Sequence, residues 1–180
     1  ALHGDDKPKL INMYGITETT IHVTYHRITK ESLNEEDGSI IGKPLPDRIV
    51  YVLGKDLSLL PENVVGELYV GGHGVARGYL NQESLTEEKF NELNKDRCYK
   101  TGDLAKWLPD GNLEYVGRTD NQIKLRGFRI ELGEIEAILQ QAPGIEKAIV
   151  LIRTVRDSEK QLVAYLLNKN KMTDSAFLRK

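Results

Sequence analysis

The sequence predicts a mixed α/β and β chain in two parts: a β-rich, distorted β-barrel-like part, then a small, truncated α+β part. Three observations carry this. Short β-branched and aromatic runs recur from Ser39 to Leu80 with glycine and proline between them. After Asp120 the pattern becomes a hairpin, a helically periodic segment and two further strands. An apolar fraction of 39% beside 29% charged residues fits a chain that buries a core rather than a disordered one.

The elements follow in order. Leu10-Ile11 runs into Asn12-Met13-Tyr14-Gly15 as a strand ending in a loop, and 31–38 is a polar surface excursion. Arg48 to Leu53 is a strand punctuated by Gly54, and Gly66 to Val70 alternates polar and apolar before Gly71-Gly72. Ser84-Leu85-Thr86-Glu87 fits a capping box opening a short helix through Leu93. Lys106 to Tyr115 is a hairpin turned by Pro109-Asp110-Gly111, with Trp107 as packing. Ile123, Leu125 and Ile130 flank Arg126-Gly127 in a second hairpin.

Glu131 to Gln141 then places Leu132, Ile135, Ile138 and Leu139 on one helical face, with Glu131, Glu134 and Glu136 near the positive end of the dipole. Pro143-Gly144 stops that helix. Ala148–Ile152 and Leu162–Leu167 are strands joined by the polar turn from Arg156 to Lys160, and a last helix starts near Thr173. The division falls into residues 1–119 and 120–180, meeting at Asp120.

Composition removes several function classes. A net charge of −2 gives no electrostatic basis for general nucleic-acid binding. Cys98 is the single cysteine, so an internal disulfide and a cysteine-rich zinc site are excluded, and a reducing cytoplasm is the expected location. No apolar run approaches the roughly 20 residues that span a bilayer, and the N-terminus has no signal-peptide pattern. The absence of an initiator methionine and the abrupt end at Arg179-Lys180 predict a piece of a longer chain. His22 and His26 stand four apart without a third ligand to complete a zinc set. The glycines at 71, 72 and 74 have the wrong spacing for a dinucleotide fingerprint, and Pro44 after Gly42-Lys43 lacks the hydroxyl of a phosphate loop.

Asn12 to Glu18 gathers groups that a nucleotide site uses: an aromatic face for a base, an amide for its edge, a hydroxyl for phosphate and a carboxylate for Mg²⁺. A plain strand-to-turn transition accounts for the same residues. The motifs in series say more. Asn12–Glu18 is followed by Gly66-Glu67-Leu68-Tyr69-Val70-Gly71-Gly72 through Val75-Ala76-Arg77-Gly78-Tyr79-Leu80. Then come Tyr99-Lys100-Thr101-Gly102-Asp103-Leu104 and Gly117-Arg118-Thr119-Asp120 through Gly133-Glu134-Ile135-Glu136. In order and spacing these resemble four core motifs of the adenylate-forming, AMP-binding superfamily. The last resembles the adenylation domains of nonribosomal peptide synthetases, in a C-terminal fragment covering essentially the whole chain.

The resemblance implies the end of a large AMP-binding domain followed by a truncated small domain. It implies ATP and Mg²⁺, an amino-acid substrate, and a peptidyl carrier protein bearing phosphopantetheine within a larger synthetase. It gives Asn12 the adenine edge, Tyr14 its face, Thr17 the α-phosphate and Glu18 the Mg²⁺. Asp103 would accept both ribose hydroxyls, although a turn-capping carboxylate is the alternative; Tyr115 and Arg118 would lie near the nucleotide. Asp120 would be a hinge. Lys124, Arg126 and Gly127 would form the loop facing the site when the carrier thiol is served, or else are surface groups. Met13, Ile21 and His22 match amino-acid pocket positions, where such side chains suit threonine or another small hydroxylated residue; ordinary packing is the alternative. Ile16 departs from the family's frequent proline. The family's upstream phosphate loop and C-terminal lysine lie outside these 180 residues, so the fragment alone is expected to be inactive. Two rivals remain: an acyl-CoA synthetase-type ligase, and a non-catalytic nucleotide-binding or interaction module.

Overall fold

β1 (Leu10–Tyr14) and β2 (Thr24–Ile28) form an antiparallel pair in the computed structural model, which describes residues 7–32, 38–120, 122–125, 128–155 and 159–168. The chain divides into two compact units, Ala1–Thr119 and Asp120–Lys180.

The first unit is an antiparallel sheet. To β1 and β2 it adds β3 (Ser39–Pro44), β4 (Arg48–Leu53), β5 (Gly66–Gly72), β6 (Phe90–Leu93), β7 (Asp96–Trp107) and β8 (Leu113–Arg118). Hydrogen bonding runs β1-β2-β3-β8-β7-β5-β4, with β6 beside β7. Among the described residues this path is open, with β1 and β4 at its ends, so the barrel-like region does not close. β5 is an interior strand, paired with β4 on one side and β7 on the other, and Leu68, Tyr69, Val70 and Gly71 are all buried. Burial on both faces explains why this strand ends in an unbroken small and apolar run.

The core gathers Tyr14, Val23, Ile41, Val52, Leu68, Val70, Ala105 and Leu113, with Trp107 and Tyr115 packed against it. Fully burying one such aliphatic side chain contributes about 1.5–3 kcal/mol. The expected hairpin joins β7 to β8: Leu108 N–H donates to Asn112 O at 2.8 Å, and Gly111 takes φ +79°, a left-handed value glycine adopts without strain.

One element differs from expectation. The helix α1 (Glu83–Lys89) is shorter, and Phe90–Leu93 is the strand β6 rather than its continuation. The capping box does not form. Gln82 precedes the helix without a side-chain cap, and the Thr86 hydroxyl oxygen accepts the Tyr79 N–H at 2.9 Å. β6 turns into β7 through Asn94 and Lys95, both left-handed at φ 52° and 71°. Two consecutive positive-φ residues match the right-handed twist of a tight hairpin.

The second unit holds the hairpin β9 (Gln122–Leu125) with β10 (Phe128–Glu131), the helix α2 (Leu132–Gln140), and the long pair β11 (Ile145–Val155) with β12 (Glu159–Asn168). α2 packs on β11. Glu136 ties the two together: its Oε1 accepts the Val150 N–H at 2.8 Å. The turn residues 156–158, most of the 31–38 excursion and the helix expected near Thr173 lie outside the described residues. No helix among the described residues is long and apolar enough to cross a membrane.

Candidate functional site

The β1–β2 connection is built around a glycine. A Cβ at Gly15 would stand 1.9 Å from the Ile21 carbonyl oxygen and 2.9 Å from His22 Cα, so any larger residue forces backbone apart from backbone. After it comes a short 3₁₀ turn, Thr17–Thr19, and then Thr20 and Ile21 at φ 61° and 65°. Ile16 O accepts the amides of Thr19 and Ile21, and Val23 N–H closes the loop on Tyr14 O at 2.8 Å. Ile16 is buried beside Phe90 and Tyr99, so this departure from proline serves as a core residue. The turn is also tied to the segment after β5: Ala76 N–H donates to Glu18 O at 2.8 Å, and the Thr20 hydroxyl donates to Gly74 O at 2.7 Å.

Two segments 89 residues apart meet at Asp103. The Tyr14 hydroxyl donates to Asp103 Oδ2, and Arg118 Nη1 pairs with Oδ1 at 2.6 Å. The β7–β8 register sets Asp103 opposite Arg118. Thr101 supports both: its hydroxyl oxygen accepts the Asp103 N–H at 3.0 Å, its own O–H donates to Leu68 O at 2.7 Å, and its carbonyl accepts Arg118 Nη2 at 3.2 Å. The group is interior, with Asp103 1% and Tyr14 5% exposed. Burial, then the Asp103 charge and hydrogen bond, hold the Tyr14 hydroxyl well above the ordinary tyrosine range, with Thr101 and Arg118 opposing. Tyr14 is therefore a protonated donor to the carboxylate that Arg118 also pairs, and hydrogen bonds within such charged pairs are the stronger class.

A second cluster forms around Glu18. Its Oε1 accepts the Tyr79 hydroxyl at 2.8 Å and the Tyr99 hydroxyl at 3.0 Å, and the two hydroxyls are 2.9 Å apart. Both tyrosine rings stand edge-on to Phe90, with centroids at 5.5 and 4.9 Å. Burial, with the Tyr99 and Glu18 contacts, raises the Tyr79 hydroxyl pKa strongly.

The other sequence-selected residues are placed as follows. Asn12 Nδ2 donates to Ile40 O at 2.6 Å, which fixes the amide beside β3. Thr17 is exposed at the start of the 3₁₀ turn, and Tyr115 is half-buried on β8 against the core. Met13 points to the β1 face opposite Asn12 and Tyr14; it, Ile21 and His22 are exposed. Asp120 Oδ1 accepts the Gln122 N–H at 3.1 Å, and on the other side of the unit boundary Thr119 N–H is held by Gly102 O at 2.8 Å. Lys124 is paired with Arg129 along β9–β10, while Arg126 and Gly127 lie outside the described residues. Among the described residues no group of three or more His, Cys, Asp or Glu side chains stands ready for a metal.

Three residues that hold these clusters, Tyr79, Tyr99 and Thr101, were not selected from the sequence. Strand alternation was the available signal for two: Thr101 and Tyr99 share the inward face of β7 with Asp103. Nothing local marks Tyr79.

Residues 1–80 match the AMP-binding enzyme family. The chain is 48% identical over 182 aligned residues to a dimodular nonribosomal peptide synthase of Bacillus subtilis (strain 168), covering 99% of this chain and 8% of that protein. It superposes at TM-score 0.85 and 35% identity on an NRPS protein containing adenylation and PCP domains bound to vinylsulfonamide inhibitor, covering 95% of this chain and 30% of the other. It superposes at TM-score 0.56 and 41% identity on a four-domain nonribosomal peptide synthetase bound to AMP and glycine, covering 94% of this chain and 13% of the other. The chain thus spans a small fraction of the length of the relatives it matches.

Proposed function

We propose that this chain, whose residues 1–80 match the AMP-binding enzyme family, is the C-terminal part of an amino-acid-activating adenylation domain in a nonribosomal peptide synthetase. The reaction is attack of an amino-acid carboxylate on the α-phosphorus of ATP, giving aminoacyl-AMP and pyrophosphate. The phosphopantetheine thiol of a carrier protein then takes the aminoacyl group as a thioester, and AMP leaves. The observation that carries this reading is the convergence of Tyr14 and Asp103, from the first and third motifs, on one buried contact.

The residue roles follow from what each group offers. Asp103 binds the ribose: its two oxygens accept about four hydrogen bonds in all, and Tyr14 and Arg118 supply one to each. A carboxylate 1% exposed is reached only when a neighbour moves, and Arg118, at the end of β8, is that neighbour. Released from Oδ1, its guanidinium becomes a cation beside the nucleotide. Tyr14, buried like Asp103, offers its ring to adenine once the same movement opens the site, Asn12 its amide to the adenine edge, and exposed Thr17 its hydroxyl to the α-phosphate. Tyr115 lies near the ribose.

Glu18 suits Mg²⁺, because that ion takes one or two carboxylates and completes its shell with substrate phosphates and water. The single held carboxylate fits this pattern better than a protein cage would. When bound, the ion neutralises charge on the phosphates. Catalysis by the chain itself is positioning and charge complementarity.

The boundary at Asp120 is the hinge on which the small domain turns, with the loop of Lys124, Arg126 and Gly127 serving the carrier thiol. Met13, Ile21 and His22 belong to the amino-acid pocket, with threonine or another small hydroxylated residue as substrate. The free thiol of Cys98 suits the cytoplasm. The test is amino-acid-dependent ATP–pyrophosphate exchange by the intact parent domain across the amino acids. Exchange stimulated by threonine or a similar residue is expected. Exchange driven only by large aromatic residues refutes the pocket reading, and no exchange with any amino acid refutes the function.

A further inference from the structure

The Tyr79 and Tyr99 hydroxyls both reach one oxygen of the residue proposed to bind Mg²⁺, and they do so from different parts of the fold. Tyr79 lies in the segment between β5 and α1, and Tyr99 lies on β7. Glu18 itself sits in a 3₁₀ turn, where a glutamate without partners samples several rotamers. Here it does not. Oε1 lies 2.8 Å from one hydroxyl and 3.0 Å from the other, and the Glu18 carbonyl accepts Ala76 N–H at 2.8 Å. The donors are themselves fixed. Tyr99 is 1% exposed, and both rings stand edge-on to the buried Phe90.

We propose that Tyr79 and Tyr99 are positioning residues for the metal-binding carboxylate: their hydroxyls clamp Glu18 Oε1 and so aim the carboxylate at the Mg²⁺–ATP complex. This rests on the adenylation reading given above. Each carboxylate oxygen carries about two lone pairs, so two hydroxyls at Oε1 orient the group and leave cation binding to Oε2. Groups that hold a metal ligand in this way typically change metal affinity by about 10–100-fold when removed. A merely structural pair of tyrosines, satisfied by a convenient carboxylate, predicts no such effect.

The experiment uses the intact adenylation domain and Tyr79→Phe, Tyr99→Phe and the double variant. Each keeps the ring against Phe90 and removes only the hydroxyl. Mn²⁺ serves as the probe: its binding to the ATP-loaded protein is read by loss of the free-ion electron paramagnetic resonance signal, and AMP affinity is measured without metal. Each single variant is expected to weaken Mn²⁺ binding about tenfold, and the double variant more, with AMP affinity unchanged. In a Glu18→Gln background the same variants are expected to add no further loss, because they act through that carboxylate. Unchanged Mn²⁺ affinity in the double variant overturns the clamp, as does an equal loss with and without Glu18. A wild-type domain that shows neither AMP binding nor amino-acid-dependent exchange overturns the adenylation reading itself, and the clamp with it.

Discussion

Replacing Tyr14 by phenylalanine separates the two jobs this side chain is given. The ring stays, so no cavity opens in the core cluster that Tyr14 shares with Val23 and Leu68. What disappears is one O–H donated to the Asp103 carboxylate, in a site where Asp103 is 1% exposed. A hydrogen bond to a charged group contributes about 1.5–3 kcal/mol, and water does not replace the lost donor at that depth. Native-state hydrogen exchange of the β1, β7 and β8 amides in the intact domain is expected to show a loss of that size. AMP affinity is expected to hold within about threefold, because the stacking face remains.

The pH dependence carries a sign. Tyr14 keeps its proton in the folded state to a higher pH than the ordinary value of 10.0. Above that value the unfolded chain loses the proton first, so this contribution is complete below pH 10 and is lost as pH rises toward the folded-state pKa. The slope is about 1.4 kcal/mol per pH unit. The stability gap between the parent and Tyr14→Phe therefore narrows above pH 10. Other raised tyrosines, such as Tyr69 at about 12, are common to both proteins and cancel. A gap below about 0.5 kcal/mol at neutral pH, or one constant through the alkaline range, would refute the buried donor.

Two further outcomes are expected. Gly15→Ala places a methyl group 1.9 Å from the Ile21 carbonyl oxygen, so the 3₁₀ turn must shift. The cost is about 1–3 kcal/mol or more, and a thermal midpoint and ATP affinity equal to the parent's would contradict it. Cys98 is 0% exposed and its thiol is pushed up to about 11 by burial and then by Asp96. Iodoacetamide at pH 8, followed by peptide mass mapping, should label it only after unfolding; rapid labelling of the native domain would count against this packing.

Much of the fold was legible because local chemistry and tertiary context agree. Arg48 to Leu53 is β-branched, bounded by Gly54, and forms β4 over the same residues. The Pro109-Asp110-Gly111 turn and the apolar face of α2 were readable for the same reason. The helix expected through Leu93 failed where two local signals competed. Ser84-Leu85-Thr86-Glu87 looked like a cap, but Phe90 is needed in the aromatic cluster and its strand pairs with β7. The Asn94-Lys95 turn that permits this pairing lacks the glycine that usually announces it. At the site, the ordered motifs named Tyr14 and Asp103, but Arg118 on the same carboxylate follows from the β7–β8 register, which spacing does not encode. Tyr79 reaches Glu18 across 61 positions, a contact no local pattern announces.

The central claim is that a buried carboxylate on β7 grips the ribose of a nucleotide whose base meets Tyr14. Its most direct measurement is calorimetric titration of AMP into the intact domain and its Asp103→Asn variant, which keeps the side-chain volume and removes the charge. Losing one charge-assisted hydrogen bond predicts a fall in affinity of about tenfold or more, while Tyr14→Phe stays near the parent. Equal affinity for AMP in the parent and in Asp103→Asn would contradict the claim.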